Sequence, residues 1–307
     1  MSLGGPGHSV SIIIPVLNGA ATIADAIRGV LSQRWAGPRP EVIVVDNGSS
    51  DSTPEVVSEF PVRLLHEPER GVAAARNRGL RAARGEIIAC LDADTLPTRT
   101  WLHHLVAPLE DPGVCQVGGT VASFKPSSPA ERFADALGFF RPDHSVERER
   151  NPFVPGLNTA VRRSDAQAIG GWCEDFRFGE DVDFSFRLTR RTGSRLAHSP
   201  HAVVFHRHRQ DDESLWRQAR GWGAGAGMVC RRYPDVLIGG WAGLVRLRLS
   251  MSLHRAWASV CSGLARLGAV SARRAEFEQY HGRWLRAYWE GFREGYGSDV
   301  PAQGGAS

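Results

Sequence analysis

The chain has 307 residues, of which 42% are hydrophobic and 23% charged. This composition predicts a globular protein with one large domain or two average ones, and it excludes collagenous, coiled-coil and disordered chains. Its five cysteines form no CxxC pair, so neither a disulfide framework nor a zinc knuckle is predicted. Neither a spanning apolar stretch nor a secretory signal is present in the sequence, so we expect a cytoplasmic protein.

The formal net charge of +4 hides an uneven distribution of charged side chains. Residues 1–206 hold 22 basic and 24 acidic side chains, whereas residues 207–307 hold 15 and 9. Lys125 is the only lysine beside 36 arginines, which disfavours any chemistry that needs several lysines. No nucleic-acid-binding motif accompanies the basic region, so we expect no nucleic-acid partner.

Short apolar runs alternate with helical patterns from residue 9 to about residue 206, which predicts an α/β domain with a mainly parallel sheet. The predicted strands are residues 10–16, 42–46, 62–66, 87–91 and 114–124. Polar residues follow the early strands at Asn18 and in the stretches 46–51 and 92–94. Because the carboxyl ends of parallel strands border the ligand crevice of an open α/β sheet, we expect these residues to converge there.

Helical patterns cover residues 20–31 and 72–84 between the early strands. From residue 126 to residue 155 the pattern weakens and five prolines occur, which predicts a mobile excursion over the site. Strand patterns then stop, and the three helices predicted beyond them are residues 213–232, 241–267 and 272–296. We therefore expect a domain at residues 9–210 and a helical C-terminal extension at residues 211–297.

Carboxylates stand at the ends of two predicted strands. Asp92 and Asp94, on alternate positions, can offer oxygen ligands to a hard divalent cation, or they can simply shape the turn after the strand. Asp46 can accept the imide N–H of a pyrimidine base. Arg76 can bracket the same base by stacking and hydrogen bonds, or it can be a surface arginine paired with Glu67 or with Glu69.

Five sequence blocks occur in order: residues 11–18 (SIIIPVLN), 45–51 (VDNGSSD), 71–79 (GVAAARNRG), 92–94 (DAD) and 179–181 (GED). Together they resemble the family 2 glycosyltransferases, over residues 9–210. The resemblance implies the GT-A fold and inverting transfer of a sugar from a nucleotide-diphosphate sugar. Because Asp46 favours a uracil or thymine base by its hydrogen bonding, we expect UDP first and dTDP next. Mg²⁺ or Mn²⁺ is the expected cofactor, because a divalent ion can stabilise the diphosphate leaving group in a chain almost without lysine.

The resemblance also implies a role for each matching residue. The implied nucleotide-binding residues are Pro15, Val16, Asn18, Asp46, Arg76, Asp92, Ala93 and Asp94. The implied metal ligands are Asp94, Asp92 and His206. The implied residues on the acceptor or donor-sugar side are Gly156, Asn158, Trp172 and Glu180. Asp181 is the implied base, which deprotonates the acceptor hydroxyl while that hydroxyl attacks the anomeric carbon.

Four of these residues keep structural alternatives. Glu180 and Asp181 suit the acidic first turn of any helix. His206 can line a polar turn or contact the diphosphate. Trp172 can stack on a sugar or pack in the core behind a Gly-Gly turn. Asp183 lies past the aligned position.

The C-terminal region carries two further patterns. Residues 218–222 (QARGW) resemble the QxxRW element of processive synthases, but the arginine lies one position early and no membrane helices follow, so we expect a non-processive enzyme. Between residues 241 and 275, apolar residues recur every three or four positions opposite arginines. Such a helix either lies on the inner membrane face, where it suits a lipid-linked acceptor, or packs on the catalytic domain or on a second subunit.

Three other classes compete with the glycosyltransferase hypothesis. A haloacid-dehalogenase phosphatase has the pattern DxDxT or DxDxV, where this chain has Leu96 in the fifth position. A sugar nucleotidyltransferase has a glycine-rich loop after its first strand, which is absent here. A non-catalytic nucleotide-sugar binder needs no base, so Asp94 and Asp181 together favour an enzyme. For the glycosyltransferase, the expected context is cell-surface polysaccharide, glycolipid or secondary-metabolite glycosylation. The sequence leaves open the identity of both substrates and the oligomeric state.

Overall fold

The computed structural model describes residues 7–234, 257, 259–261 and 263–298. The chain divides into two compact units. The first unit comprises Met1–Lys125 and Phe139–Arg207, and the second comprises Pro126–Gly138 and His208–Ser307. The second unit thus includes a short segment that the sequence placed within the catalytic domain.

The first unit is built on an eight-stranded sheet. Its strands are β1 (Val10–Val16), β2 (Glu41–Asp46), β3 (Arg63–His66), β4 (Ile87–Leu91), β5 (Thr95–Pro97), β6 (Val114–Ser123), β7 (Asn158–Arg162) and β8 (Arg195–His206). They are ordered β3-β2-β1-β4-β7-β6-β8-β5. The first four strands run parallel, as do β6 and β8, whereas β7 and β5 pair antiparallel with their neighbours. The predicted mainly parallel α/β fold is confirmed.

Helices cover both faces of this sheet or belong to the second unit. They are α1 (Ile23–Leu31), α2 (Thr53–Ser58), α3 (Val72–Ala82), α4 (Trp101–Val106), α5 (Pro129–Leu137), α6 (Arg163–Ala168), α7 (Glu180–Thr192), α8 (Asp212–Arg232) and α9 (Ala272–Gly297). All seven residues of β1 are buried. Because successive side chains of a strand point to opposite faces, Ile12 packs in one core cluster with Trp101, and Ile13 packs in another with Phe184. This two-sided burial explains the uninterrupted apolar runs.

Helix α5 lies where the sequence predicted only a mobile excursion, and that expectation missed a capped helix. The hydroxyl of Ser128 accepts the backbone N–H of Glu131, and the Glu131 carboxylate accepts the backbone N–H of Ser128. Pro129 occupies the first turn, where its missing N–H costs no hydrogen bond. The sequence Ser-Pro-Ala-Glu contains this capping box, so the start of the helix could have been predicted from the sequence.

Within the second unit, α8 and α9 approach so closely that glycine is needed at their contact. A Cβ on Gly223 would overlap the carbonyl oxygen of Tyr288, and a Cβ on Gly291 would overlap that of Arg220. The aromatic ring of Phe133, on α5, lies 5.4 Å from that of Phe277 on α9. Glycine contacts and aromatic packing therefore hold this unit together.

The variant Gly223→Ala is expected to lower the free energy of unfolding by about 1–3 kcal/mol, because the added methyl group meets backbone atoms that cannot rotate away. Gly297→Ala is the control, since a Cβ on this exposed α9 glycine meets no described atom within 4 Å. It is expected to raise stability by up to about 1 kcal/mol, because alanine favours the helix. Urea denaturation followed by circular dichroism measures both, and equal destabilisation would contradict the close contact.

Within the described ranges, none of the helices combines the length and the hydropathy that a membrane span requires. The amphipathic helix predicted at residues 241–267 lies largely outside the described residues.

Candidate active site

Asp46, the last residue of β2, lies in a cluster of hydrogen-bond donors. The backbone N–H of Ser49 lies 3.1 Å from Oδ1 and 3.4 Å from Oδ2 of this carboxylate. Nδ1 of His66, at the end of the neighbouring strand β3, lies 3.3 Å from Oδ2. Only 6% of the Asp46 side chain is exposed. The carboxylate is therefore fixed in orientation before any ligand binds.

The loop after β1 is tied to the loop after β2. Asn18 adopts a left-handed backbone conformation with φ of 53°, which asparagine tolerates better than most residues. Its backbone N–H donates to Oγ of Ser49 over 2.8 Å, and its side-chain oxygen accepts the N–H of Ser50 over 2.8 Å. Pro15 and Val16 are buried in β1 beneath this loop. Asn18 therefore shapes this edge of the sheet, and the side chains of Pro15 and Val16 belong to the core.

Arg76 on α3 is buried, with 2% of its surface exposed. Its Nη1 donates to Oε1 of Glu180 over 2.7 Å, and its Nη2 donates to Oδ1 of Asp92 over 3.1 Å. Burial by itself lowers the pKa of the guanidinium, but the neighbouring carboxylates outweigh it and hold the pKa above its usual value. The surface alternative is wrong, because this arginine joins the aspartate pair after β4 to the acids that start α7.

The loop between β4 and β5 carries the aspartate pair. The Asp92 side chain is 35% exposed, and its pKa is raised because partial burial and the Asp94 carboxylate disfavour the charged form more than the Arg76 guanidinium favours it. Ala93 packs against the core beneath the turn. Strand β5 follows directly and pairs with β8, so that Thr95 is in register with His206. This pairing brings Nε2 of His206 to 3.6 Å from Oδ2 of Asp94.

The two side chains Asp94 and His206 fit a divalent cation. A carboxylate oxygen and an imidazole nitrogen are both ligands that Mn²⁺ accepts, and atoms 3.6 Å apart can reach one ion from two sides. Among the described residues no group of three or more such side chains forms a metal site. The ring of Phe140 lies 5.0 Å from that of His206 in an edge-on arrangement. The geometry thus offers a partial site, which suits an ion shared with a ligand's phosphates.

Glu180 and Asp181 begin α7 directly after Gly179, whose φ is 82°. Oδ2 of Asp181 accepts a hydrogen bond from the backbone N–H of Gly156 over 3.2 Å, and Oδ1 accepts one from the backbone N–H of Val182 over 2.8 Å. Burial raises the pKa of Asp181, and burial with the adjacent Asp181 charge raises the pKa of Glu180 to about 7. A carboxylate with a raised pKa is a stronger base than one in water.

Gly156 is needed because Arg76 lies against it. A Cβ at this position would stand 2.6 Å from the guanidinium carbon and from both terminal nitrogens of Arg76. The sequence placed Gly156 on the substrate side of the site. The structure gives it a packing role and a hydrogen-bonding role, through Arg76 and through Asp181.

Two residues expected to face a sugar are buried instead, which corrects those predictions. Trp172 is 2% exposed, and its ring stacks on that of Phe184 with centroids 4.4 Å apart. Asn158 is 1% exposed, and its side chain bonds the carbonyl oxygens of Thr120 and Ala202 and the indole N–H of Trp101. Both side chains therefore stabilise the core, and the core alternative for Trp172 is the right one.

Three features of the site were not expected from the sequence. They are the contact of His66 with Asp46, the packing of Gly156 on Arg76, and the ring of Phe140 beside His206. His66 ends a predicted strand next to that of Asp46, so its position could have been inferred. Asp183, in contrast, is fully buried and pairs with Arg187 over 2.7 Å, which gives it a structural role.

Fold and sequence together define a glycosyltransferase with the GT-A fold. The model of the family described as "Glycosyl transferase family 2" matches residues 11–170, and the chain belongs to this family. The phosphatase and nucleotidyltransferase alternatives are therefore set aside.

Two named glycosyltransferases are similar to this chain over most of its length. The pre-mycofactocin glycosyltransferase of Mycobacterium tuberculosis is 31% identical over 87% of this chain. The match covers 56% of that relative's length, so the chain spans about half of it. Glycosyltransferase AglE of Haloferax volcanii is 33% identical over 69% of this chain and 71% of its own length.

Solved structures share the fold. The mannosyltransferase PcManGT of Pyrobaculum calidifontis, in complex with GDP-Man and Mn²⁺, has a TM-score of 0.64 at 23% identity and covers 92% of this chain and 86% of its own. Glucosyl-3-phosphoglycerate synthase of Mycobacterium tuberculosis, with Mn²⁺, UDP and phosphoglyceric acid, has a TM-score of 0.54 at 22% identity. It covers 73% of this chain and 78% of its own.

Proposed function

We propose that this protein transfers a sugar from a nucleotide-diphosphate sugar, with UDP as the nucleotide, to an acceptor hydroxyl with inversion at the anomeric carbon. The observation that carries the proposal is one connected network. Arg76 bonds both Asp92, beside the candidate metal ligands, and Glu180, beside the candidate base. Donor-binding and acceptor-activating groups are thus held by a single buried cation.

In this mechanism Asp181 takes the proton of the acceptor hydroxyl. Two backbone N–H groups hold its carboxylate in place, from Gly156 and from Val182. The acceptor oxygen forms the new bond to the anomeric carbon while the bond from that carbon to the diphosphate oxygen breaks. Attack from the face opposite the leaving group inverts the configuration.

Asp94 and His206 are the residues that would hold a divalent cation, with Asp92 on the same turn. A bound Mg²⁺ or Mn²⁺ supplies charge stabilisation to the departing diphosphate. Asp46 accepts the imide N–H of the base, and Arg76 orients the Asp92 carboxylate by donating a hydrogen bond to it. Glu180, in direct contact with Arg76, orients the acceptor side.

A thermal-shift screen tests the donor site without knowledge of the acceptor. Purified protein is heated with UDP, dTDP, GDP or CMP, each with Mn²⁺, with Mg²⁺ and with EDTA. We expect UDP with a divalent cation to raise the melting temperature and EDTA to abolish the shift, because a ligand that binds only the folded state stabilises it. Absence of any shift across the panel would contradict the proposed donor site.

Replacement of either candidate metal ligand is expected to weaken the binding of UDP with Mn²⁺. For Asp94→Asn and for His206→Ala we expect a loss of at least about tenfold in affinity, the lower end of what disturbed metal ligation costs. Isothermal titration calorimetry measures the loss. His201→Ala removes an exposed imidazole from the same strand and serves as the control. Equal affinities in all three variants would exclude these two residues as ligands.

A further inference from the structure

The nucleotide-facing edge of the sheet places three residues side by side. In the parallel register of β1, β2 and β3, Val16 pairs with Asp46, and Asp46 pairs with His66. Leu17, which follows Val16, is 46% exposed although it is apolar. The His66 side chain is 64% exposed. A planar base that reaches Asp46 therefore meets an apolar side chain on one flank and an imidazole on the other.

Protein donors already occupy part of the hydrogen-bond-accepting capacity of the Asp46 carboxylate. The backbone N–H of Ser49 lies within hydrogen-bond distance of both carboxylate oxygens of Asp46, so the two oxygens share this donor. A carboxylate ion can only accept, so a hydrogen bond between Oδ2 and His66 Nδ1, which lie 3.3 Å apart, requires the imidazole tautomer with its proton on Nδ1. Oδ2 thus faces two donors and Oδ1 faces one, so Oδ1 is the oxygen with the greater remaining capacity to accept a hydrogen bond from a ligand.

Bases differ in how many N–H groups they present to such a carboxylate. Guanine offers N1–H and the exocyclic amine side by side, and it pairs with both oxygens of a carboxylate at once. Uracil and thymine offer one imide N–H between two carbonyl groups, and neutral cytosine has no proton on N3. A carboxylate with one reachable acceptor matches uracil or thymine and leaves one guanine donor without a partner, which is costly in a desolvated site.

We propose that His66 is a specificity-determining residue of the nucleotide site. By donating to Oδ2 of Asp46 it limits this carboxylate to one base N–H, and so it selects a uracil-type base against guanine. The inference rests on the proposed function, and it specifies which residue restricts the donor nucleotide and how.

The test measures dissociation constants for UDP, dTDP and GDP with Mn²⁺, by isothermal titration calorimetry of the full chain. His66→Phe keeps a ring but removes the donor, whereas His66→Asn keeps an N–H close to the position of Nδ1. We expect the wild type to bind UDP at least about tenfold more tightly than GDP, and His66→Phe to reduce this preference by about tenfold through tighter GDP binding. His66→Asn is expected to restore the preference to within about threefold of the wild type.

Two comparisons separate this role from general damage. The ratio of UDP to dTDP affinity is expected to stay unchanged in every variant, because both bases carry the same imide. His201→Ala, which removes an exposed imidazole elsewhere, is expected to change no ratio.

Several outcomes overturn the inference. An unchanged UDP preference in His66→Phe, or an equal loss in His66→Asn, shows that the N–H donor does not set selectivity. A wild-type protein that binds GDP more tightly than UDP removes the base assignment but leaves sugar transfer in place. A wild-type protein that binds none of the three nucleotides overturns the proposed function, and the inference falls with it.

Discussion

The variant Asp181→Asn is expected to lower the rate of nucleotide release from a UDP-sugar by about 10²- to 10⁴-fold, the usual contribution of a general base. Asparagine has nearly the same shape and can still accept the N–H of Gly156, but it cannot take the acceptor proton. Affinity for UDP with Mn²⁺ is expected to change little, because Asp46, Asp94 and His206 keep their contacts. Nucleotide release registers transfer to any hydroxyl, water included, so the assay needs no identified acceptor.

Two neighbouring carboxylates provide controls for this variant. Asp175 is exposed in the preceding loop, so Asp175→Asn is expected to keep the wild-type rate. Asp183 is fully buried against Arg187, so Asp183→Asn is expected to lower the melting temperature, with the surviving folded protein still able to turn over. A wild-type rate in Asp181→Asn would show that another group takes the proton.

The pH profile gives an independent readout of the same base. Burial raises the pKa of Asp181, and burial with the neighbouring Asp181 charge raises the pKa of Glu180 to about 7. A base works only when deprotonated, so the acidic decline of kcat/KM is expected to begin at a pH above the ordinary carboxyl value of about 4. The residual rate of Asp181→Asn is expected to lose this acidic decline. A decline that begins only near pH 4 would contradict a buried carboxylate base with a raised pKa.

The sheet and the residues at its carboxyl edge could be predicted because local patterns determine them. Strand β1 reads as seven consecutive buried residues, and its predicted bounds match the observed ones. Polar residues that follow parallel strands must meet at one edge, whatever the loops do. Asn18 and Ser50, 32 residues apart in sequence, are indeed joined by a hydrogen bond.

Side-chain partners across long sequence separations could not be predicted in this way. Arg76 and Glu180 lie 104 residues apart in sequence, and no local sequence pattern predicts their ion pair. Trp172 was open between sugar stacking and the core, because a tryptophan has an apolar face suited to either. Its stack on Phe184 depends on how α7 packs against the sheet, which is tertiary information.

Gly156 makes two contacts that no other residue type can make together. Its backbone N–H holds Oδ2 of Asp181, and its Cα lies against the Arg76 guanidinium. Arg76 has little freedom to withdraw, because it is 2% exposed and is bonded to both Glu180 and Asp92. Any side chain at position 156 must therefore push Arg76 away from its carboxylates or push the amide away from the base.

The variant Gly156→Ala is accordingly expected to lower kcat by about 10²-fold, the cost of displacing a catalytic group by about 1 Å. The dissociation constant of UDP with Mn²⁺ is expected to change by less than about threefold, because Gly156 does not contact Asp46 or Asp94. Gly297→Ala, which adds a methyl group at an exposed position of α9 with no described atom within 4 Å, is the control and should change neither quantity. If folded Gly156→Ala keeps the wild-type kcat, the base does not depend on this contact. A proportional loss of kcat and UDP affinity would instead show that the displaced Arg76 acts mainly through donor binding.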